Sequence, residues 1–172
     1  LLAVDEGVLA PGHVDGEERA EGVHVDPDAI VHDSAVLQPP VVVGPDCEVG
    51  AGAVLGPDVA LGQNVTVAAN ATIRRSVIDA DSRVEAGSTL IDAVTGQDVT
   101  LGANTVIPGG PADVQVGTVV YEDQRLGAVL ADRGIARGNV SLSPGTLVGP
   151  KATLHSGVHV FGHVREGAEV VR

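Results

Sequence analysis

Three histidines near the C-terminus, His155, His159 and His163, are of a type and number that could hold zinc, since three imidazoles and a water form a catalytic zinc set. Their places in the local six-residue frame are two, six and four, so they are expected to point outward on different sides and to be surface residues. His32 is likewise expected to be solvated rather than a catalytic base. Arg74 and Arg75 are adjacent cations able to cradle a phosphate; the competing role is salt bridging to Asp79 or Asp81. Tyr121 and Arg125 lie in a segment that could close over a ligand, against the alternative that the segment simply packs down. With Asn104 these make the candidate ligand-binding set Arg74, Arg75, Asn104, Tyr121 and Arg125. Two local motifs are set aside. GTLVGPK (145–151) has three residues between its glycines and then Pro150, so it is not a phosphate loop. Asn64-Val65-Thr66, Asn70-Ala71-Thr72 and Asn139-Val140-Ser141 match glycosylation acceptors, as an Asn- and Thr-rich repeat does by chance.

The elements that position these residues are read from periodicity. Val25, Val31, Leu37, Val43, Val49, Leu55, Leu61, Val67 and Ile73 recur every six residues without a miss. That run would arise by chance on the order of once in 10^5, so it marks a hexapeptide repeat. The position four further on is small or β-branched: Ala29, Ala35, Val41, Cys47, Ala53, Val59, Val65, Ala71 and Val77. One large and one small inward residue per six is the pattern of a parallel β-helix. After Ile73 a five-residue step restarts the frame at Ile78, Val84 and Leu90, and a second leads to Thr95, Leu101 and Ile107. Single-residue deletions are most simply absorbed at corners.

The chain divides into four regions. Residues 1–24 comprise a helix over LLAVDEGVL and an acidic linker without periodicity; 25–107 are β-helix coils; 108–129 are an extruded loop; 130–172 are coils and a charged cap. Some seven coils are expected. A stack of this kind exposes unpaired edges only at its ends, and such stacks often associate side by side.

Composition bounds the function. With Tyr121 and Phe161 as the only aromatics, the core must be built from Val, Leu, Ile and Ala in thin layers. A net charge of −13 argues against non-specific nucleic-acid binding, which needs basic charge. Together with Lys151 as the one lysine, it suggests adaptation to a high-salt cytoplasm, where screening relieves self-repulsion. Cys47 sits at an inward position and reads as a small buried hydrophobe. No apolar stretch is long enough to span a membrane, and no signal peptide is visible, so a cytoplasmic protein is expected. Because the chain opens at Leu1, it is expected to be part of something longer.

Hexads such as LGPDVA (55–60), LGQNVT (61–66) and VGPKAT (148–153) resemble those of left-handed parallel β-helix proteins, most of which are trimeric acyl- or acetyltransferases. More closely, the chain resembles the C-terminal domain of archaeal-type bifunctional sugar-1-phosphate nucleotidylyltransferases / amino-sugar-1-phosphate acetyltransferases. LLAVDEGVL looks like that family's inter-domain helix. Residues 72–107 look like its active-site coils, and DQRLGAVLADRG (123–134) like the return of its loop. In that family a histidine takes a proton from the sugar amine before it attacks acetyl-CoA. The matching position here is Ala86, which cannot transfer a proton. The family's tyrosine falls at Thr89, its phosphate-binding arginine at Gly56 and two asparagines at Thr100 and Gly109; only a sugar-contacting lysine keeps its charge, as Arg74.

The resemblance therefore implies a homotrimeric, regulatory C-terminal domain of a sugar-1-phosphate nucleotidylyltransferase with a degenerate acetyltransferase site. A sugar phosphate or nucleotide sugar is an expected ligand, and Mg is expected only in a nucleotidyltransferase domain outside these residues. Two alternatives are an active acyl- or acetyltransferase using acetyl-CoA, and a metalloenzyme like the γ-carbonic anhydrases, which bind zinc through three histidines on this fold.

Overall fold

The computed structural model describes residues 16–171; the expected helix at 1–9 lies outside them. The described residues form strands and turns without a helix. Every six residues the chain makes a short strand and turns a corner, so three strands complete a coil and three flat parallel sheets stack along one axis. The first sheet has nine strands, the second eight and the third seven. The first runs from Glu17–Ala20 and Val23–Val25 through Val41–Val43, Val59–Leu61, Ser76–Ile78, Val94–Thr95, Val129–Leu130 and Leu147–Val148 to His163–Val164. The second begins at Ile30–Val31 and ends at Glu169–Val170; the third begins at Val36–Leu37 and ends at His159–Val160. Apart from the Glu17–Ala20 edge, all pairing within these sheets is parallel and in register, as in Val54↔Thr72↔Thr89↔Val106.

Register explains the six-residue period. Equivalent aliphatic residues stack at the ~4.8 Å strand spacing, so Leu55, Ile73, Leu90, Ile107 and Leu142 form one continuous buried column. The expected inward residues Ile78, Val84, Thr95, Leu101 and Leu130 are buried as well, as is Cys47, whose Sγ lies 2.9 Å from the Gly62 carbonyl. Burial holds the Cys47 thiol above its usual pKa, chiefly by desolvation.

Val77 departs from the expected pattern. It is 46% exposed, while Ser76 beside it is buried. The five-residue step falls at the corner before Ser76, so the small inward position moves back by one, and a shift of one reverses the face on which a strand residue sits. The acidic stretch before Val25 also differs from an irregular linker: Glu17–Ala20 pairs antiparallel with Val23–Val25 and covers the edge of the first sheet. Residues 108–129, expected as an extruded loop, contain regular structure. They leave the coil as a long antiparallel hairpin, Gly110–Val116 with Val119–Leu126. Within the charged tail Glu169–Val170 pairs with Thr153–Leu154 as the last strand of the second sheet.

The corners account for the asparagines. Asn64, Asn70, Asn104 and Asn139 adopt φ between +54° and +59°, the left-handed region that Asn tolerates better than most residues. In each acceptor-like triplet the next residue (Val65, Ala71 or Val140) is buried, and the Thr or Ser after it is a half-buried strand residue. The triplets are thus by-products of the repeat.

One coil is tied to its neighbour by hydroxyls as well as by strands. Ser76, Ser82 and Ser88 occupy the three small inward positions of the same coil and are all buried. Each accepts a hydrogen bond from the next coil, from Ala93 N at 3.0 Å, Val99 N at 3.1 Å and Thr105 N at 3.2 Å. Thr105 N also donates to Gly102 O, whereas Ser82 Oγ is the acceptor found for Val99 N. A buried amide without a partner costs about 1–3 kcal/mol. Ser82→Ala is therefore expected to lower the thermal midpoint by several degrees, and Ser88→Ala by less, in a calorimetric comparison with the parent chain. Equal effects would show that the two serines are held equivalently.

Candidate functional site

The corner between the third and first sheets is where the repeat is irregular, and that irregularity builds the site. In successive coils this corner carries Gly56-Pro57, then Arg74-Arg75, then Ile91-Asp92, then Pro108-Gly109, from which the hairpin leaves. Asp92 sits one coil above Arg75 and one below the root of the hairpin. One strand spacing on either side brings both guanidiniums to the same carboxylate. Arg75 Nε donates to Asp92 Oδ1 at 2.6 Å and a terminal Arg75 nitrogen to Oδ2 at 3.3 Å. From the returning hairpin strand, Arg125 Nε donates to Oδ2 at 3.1 Å.

The carboxylate is only 14% exposed, and charge-assisted bonds of this kind are stronger than neutral ones. Burial by itself would raise the Asp92 pKa. The hydrogen bonds from Arg75 and Arg125, with their positive charge, outweigh it and hold the carboxyl below the usual aspartate range. Arg75 is correspondingly raised, first by its hydrogen bond to Asp92.

These side chains border a cleft of ≈ 500 Å³ at the root of the hairpin, with the backbone of 108–111 along one side and Asp123 and Arg125 on the other. Gly109 has φ +63°, and a Cβ there would come within 2.7 Å of Asp92 Oδ2. Gly127, where the hairpin rejoins the coil, leaves no room for a Cβ against the Asp92 carbonyl. Bare backbone at these two points lets the hairpin close onto Asp92.

Of the five residues expected to bind ligand, Arg75 and Arg125 are brought together here. Arg74 occupies the neighbouring strand position, level with Ile91, and its Nε is buried without a hydrogen-bond partner. Asn104 is at a different corner and serves as a left-handed turn residue. Tyr121 is half exposed further out on the hairpin, outside the cleft. Asp79 and Asp81 do not pair with the arginines: Asp79 accepts from Ala80 N and Asp81 from the Asn64 side chain. Asp92, on which the cluster depends, is not among the residues expected from sequence; its signal there is the second five-residue step, seventeen residues after Arg75.

Of the positions matched to acetyltransferase residues, Gly56, Arg74 and Gly109 lie at this same corner, whereas Ala86, Thr89 and Thr100 lie elsewhere. Ala86 is exposed at the corner between the second and third sheets, where its carbonyl accepts from Asn104 N. Thr89 and Thr100 are half-buried strand residues on different sheets. Gly56 has φ +108°, and a Cβ there would overlap the Gln38 carbonyl, so this backbone admits no arginine.

The late histidines fall on different sides, as expected. His155 follows a strand of the second sheet and lies 3.5 Å from the Glu169 carboxylate; His159, in the third sheet, lies 3.1 Å from Ser143 Oγ; His163 is in the first sheet. Among the described residues no group of three or more His, Cys, Asp or Glu side chains is placed to hold a metal ion, and no helix is long and apolar enough to cross a membrane.

Residues 45–136, more than half the chain, match the family model described as the GMPPB C-terminal domain. Among solved structures, LpxA from Acinetobacter baumannii superposes with a TM-score of 0.57 at 12% identity, covering 86% of this chain and 66% of that one. This places the fold among left-handed parallel β-helices. A hexapeptide transferase family protein from Anaplasma phagocytophilum matches at a TM-score of 0.46 and 16% identity, covering 82% of this chain and 73% of that one. PerB from Caulobacter crescentus, solved with CoA and GDP-perosamine, matches at 0.36 and 16%, covering 85% and 52%. The chain thus spans just under two thirds of the length of the LpxA chain. Comparison with curated protein sequences finds no significant match.

The sign of the Asp92 shift yields a prediction. A carboxyl with a depressed folded-state pKa contributes stability that is fully present above its unfolded value, near 3.8, and is lost as pH falls through the folded value. Amide exchange across 110–126 is expected to accelerate on acidification below that point. Asp92→Asn is expected to show fast exchange there already at neutral pH and to lack the acid-dependent step. A hairpin equally protected in the variant would show that the cluster does not anchor it.

Proposed function

The chain belongs to the GMPPB C-terminal domain family, and we propose that it serves as the association and regulatory domain of a sugar-1-phosphate nucleotidylyltransferase. In this reading nucleotidyl transfer, with its Mg, is carried out by a domain outside these residues, in the cytoplasm of a salt-adapted cell. The observation that carries the association role is the outer face of the first sheet. Its outward column reads Val42, Ala60, Val77, Val94, Val129 and Leu147 in consecutive register. Val77, Val94, Val129 and Leu147 are 42–50% exposed.

The other two faces are interrupted by polar residues: the outward column of the second sheet reads Ile30, Glu48, Thr66, Arg83, Thr100, Ile135, Thr153 and Glu169, and that of the third reads Val36, Val54, Thr72, Thr89, Val106, Ser141 and His159. In a chain of net charge −13, a continuous aliphatic stripe on a flat sheet is the surface whose burial offsets the repulsion between copies. We assign it to contacts within a homotrimer.

The site reading accompanies this. A base at the position of Ala86 is what acetyl transfer by the resembled mechanism requires, and a methyl group has no proton to exchange. The corner at Gly56 excludes the matching arginine on steric grounds. The domain is accordingly assigned no acetyl-CoA-dependent step of that kind.

Sedimentation equilibrium tests the association role. The native chain is expected at three times its 17.3 kDa mass, and Val94→Glu as a folded monomer, because the substitution adds charge to an outward position without touching the core. A monomeric native chain, or a variant that associates like the parent, overturns the assignment. For the parent enzyme, the intact gene product is expected to release pyrophosphate from a nucleoside triphosphate and a sugar 1-phosphate; a gene product without a nucleotidyltransferase domain would refute that part.

A further inference from the structure

The chain has two aromatic side chains, and neither is in the core. Tyr121 stands on the hairpin, and Phe161 is 77% exposed, the most exposed of the large apolar side chains among the described residues. The backbone explains Phe161. In the coil below, Ser143 to Thr146 turn the corner from the third sheet to the first, and Thr146 is buried. In the coil above, Phe161 and Gly162 alone make the same turn, since Leu142 pairs with Val160 and Leu147 with His163. This shortened corner has no inward position of its own. Val160 and Val164 are buried on either side of it, and Gly162, at φ +74°, closes the turn. The residue after an inward strand residue faces outward, so Phe161 projects from the corner that borders the first sheet.

Beside that corner lies an apolar groove of ≈ 340 Å³. Its floor is the upper part of the aliphatic stripe, Val94, Val129 and Leu147. Leu126 and Gly127, at the return of the hairpin, and Gly145, at the corner, form its walls. Asp92 and Arg125 close one end, where their ion pair balances their charges. Because Leu147 pairs with His163, Phe161 lies about one strand spacing, ~4.8 Å, above the upper wall along the coil axis. With 77% of its surface exposed, it does not fill the groove of its own chain.

Contacts in a closed ring of three copies are heterologous, so a patch on one copy meets a different patch on the next. The stripe assigned above to association therefore needs a second, non-identical surface to cover it. With coil axes parallel, three-fold symmetry keeps equivalent residues at equal height, and this selects among the exposed apolar side chains. Ile30 belongs to the first strand of its sheet, at the opposite end of the stack from the groove; Phe161 is at the level of the groove. We propose that Phe161 of each copy seats in the groove over Val129 and Leu147 of the next copy, as the aromatic anchor of the association face. Aromatic anchors buried in apolar pockets carry much of the affinity of protein contacts. The occupant is a second copy because the groove is continuous with the stripe, and a copy seated on the stripe covers the groove as well. The inference rests on the association reading and adds to it the residue that fills the groove.

The chain holds no tryptophan, so Phe161→Trp introduces a single fluorescent reporter at this position. Its emission is expected to be blue-shifted in samples that sediment as trimers. It is expected to move to the solvent-exposed range when Val94→Glu is added and the chain is monomeric. Phe161→Ser, which alters no core contact, is expected to weaken association at least about tenfold and to leave the thermal midpoint of the monomeric Val94→Glu background unchanged. The inference is overturned if Phe161→Trp associates with the emission of the monomeric control, or if Phe161→Ser associates as tightly as the parent. In both of those cases the chain still associates, so the anchor alone is refuted. A native chain that sediments as a monomer refutes the association reading and the anchor with it.

Discussion

Parallel strand stacking at one fixed spacing is the constraint on which the rest of this molecule depends. Each coil contributes a strand to each of three sheets, and each strand must meet its equivalent above and below in register. A residue's partners are therefore those one coil away, seventeen or eighteen positions along the chain, as in Val54↔Thr72↔Thr89. The same rule produces the aliphatic core columns, the serine ties from Ser76, Ser82 and Ser88 to the next coil, and the meeting of Arg75 with Asp92. Core and candidate site are two outcomes of one periodicity.

The candidate site forms where that periodicity is broken. The corner between the third and first sheets takes both five-residue steps and then releases the hairpin. Shortening the corner at Arg75 and again at Asp92 leaves the next coil to supply the Pro108–Gly109 turn and Arg125. One partly buried carboxylate then joins three successive levels of the structure. Loops on rigid repeats tend to carry binding; here an ion-paired root gives the hairpin a defined position from which to do so.

Each sequence signal is legible to the extent that it is local. The inward aliphatics from Val25 to Val160 are readable because they obey a short period, and the two five-residue steps restart that period at Ile78 and Thr95, both of them buried. Periodicity puts Val77 on the wrong face because the step lies on its N-terminal side, a one-residue matter that the large residues alone do not resolve. The strand Glu17–Ala20 is hidden because its exposed residues carry no alternation. The hairpin is hidden behind Pro108, Gly109, Gly110 and Pro111, which signal departure from the coil but do not specify a pair of strands beyond it. Arg75 and Arg125 are identifiable as rare cations. Asp92 is not, because one acidic residue among 23 gains its meaning only from which residues stack above and below it.

The central proposal is that this domain keeps the scaffold without the acetyl-transfer chemistry matched to position 86. The direct measurement is coenzyme A release from acetyl-CoA by the native chain, with glucosamine 1-phosphate and galactosamine 1-phosphate as acceptors, in high salt. The account predicts no release above the uncatalysed rate. Turnover by the native chain would contradict it and would require a base other than the residue at Ala86.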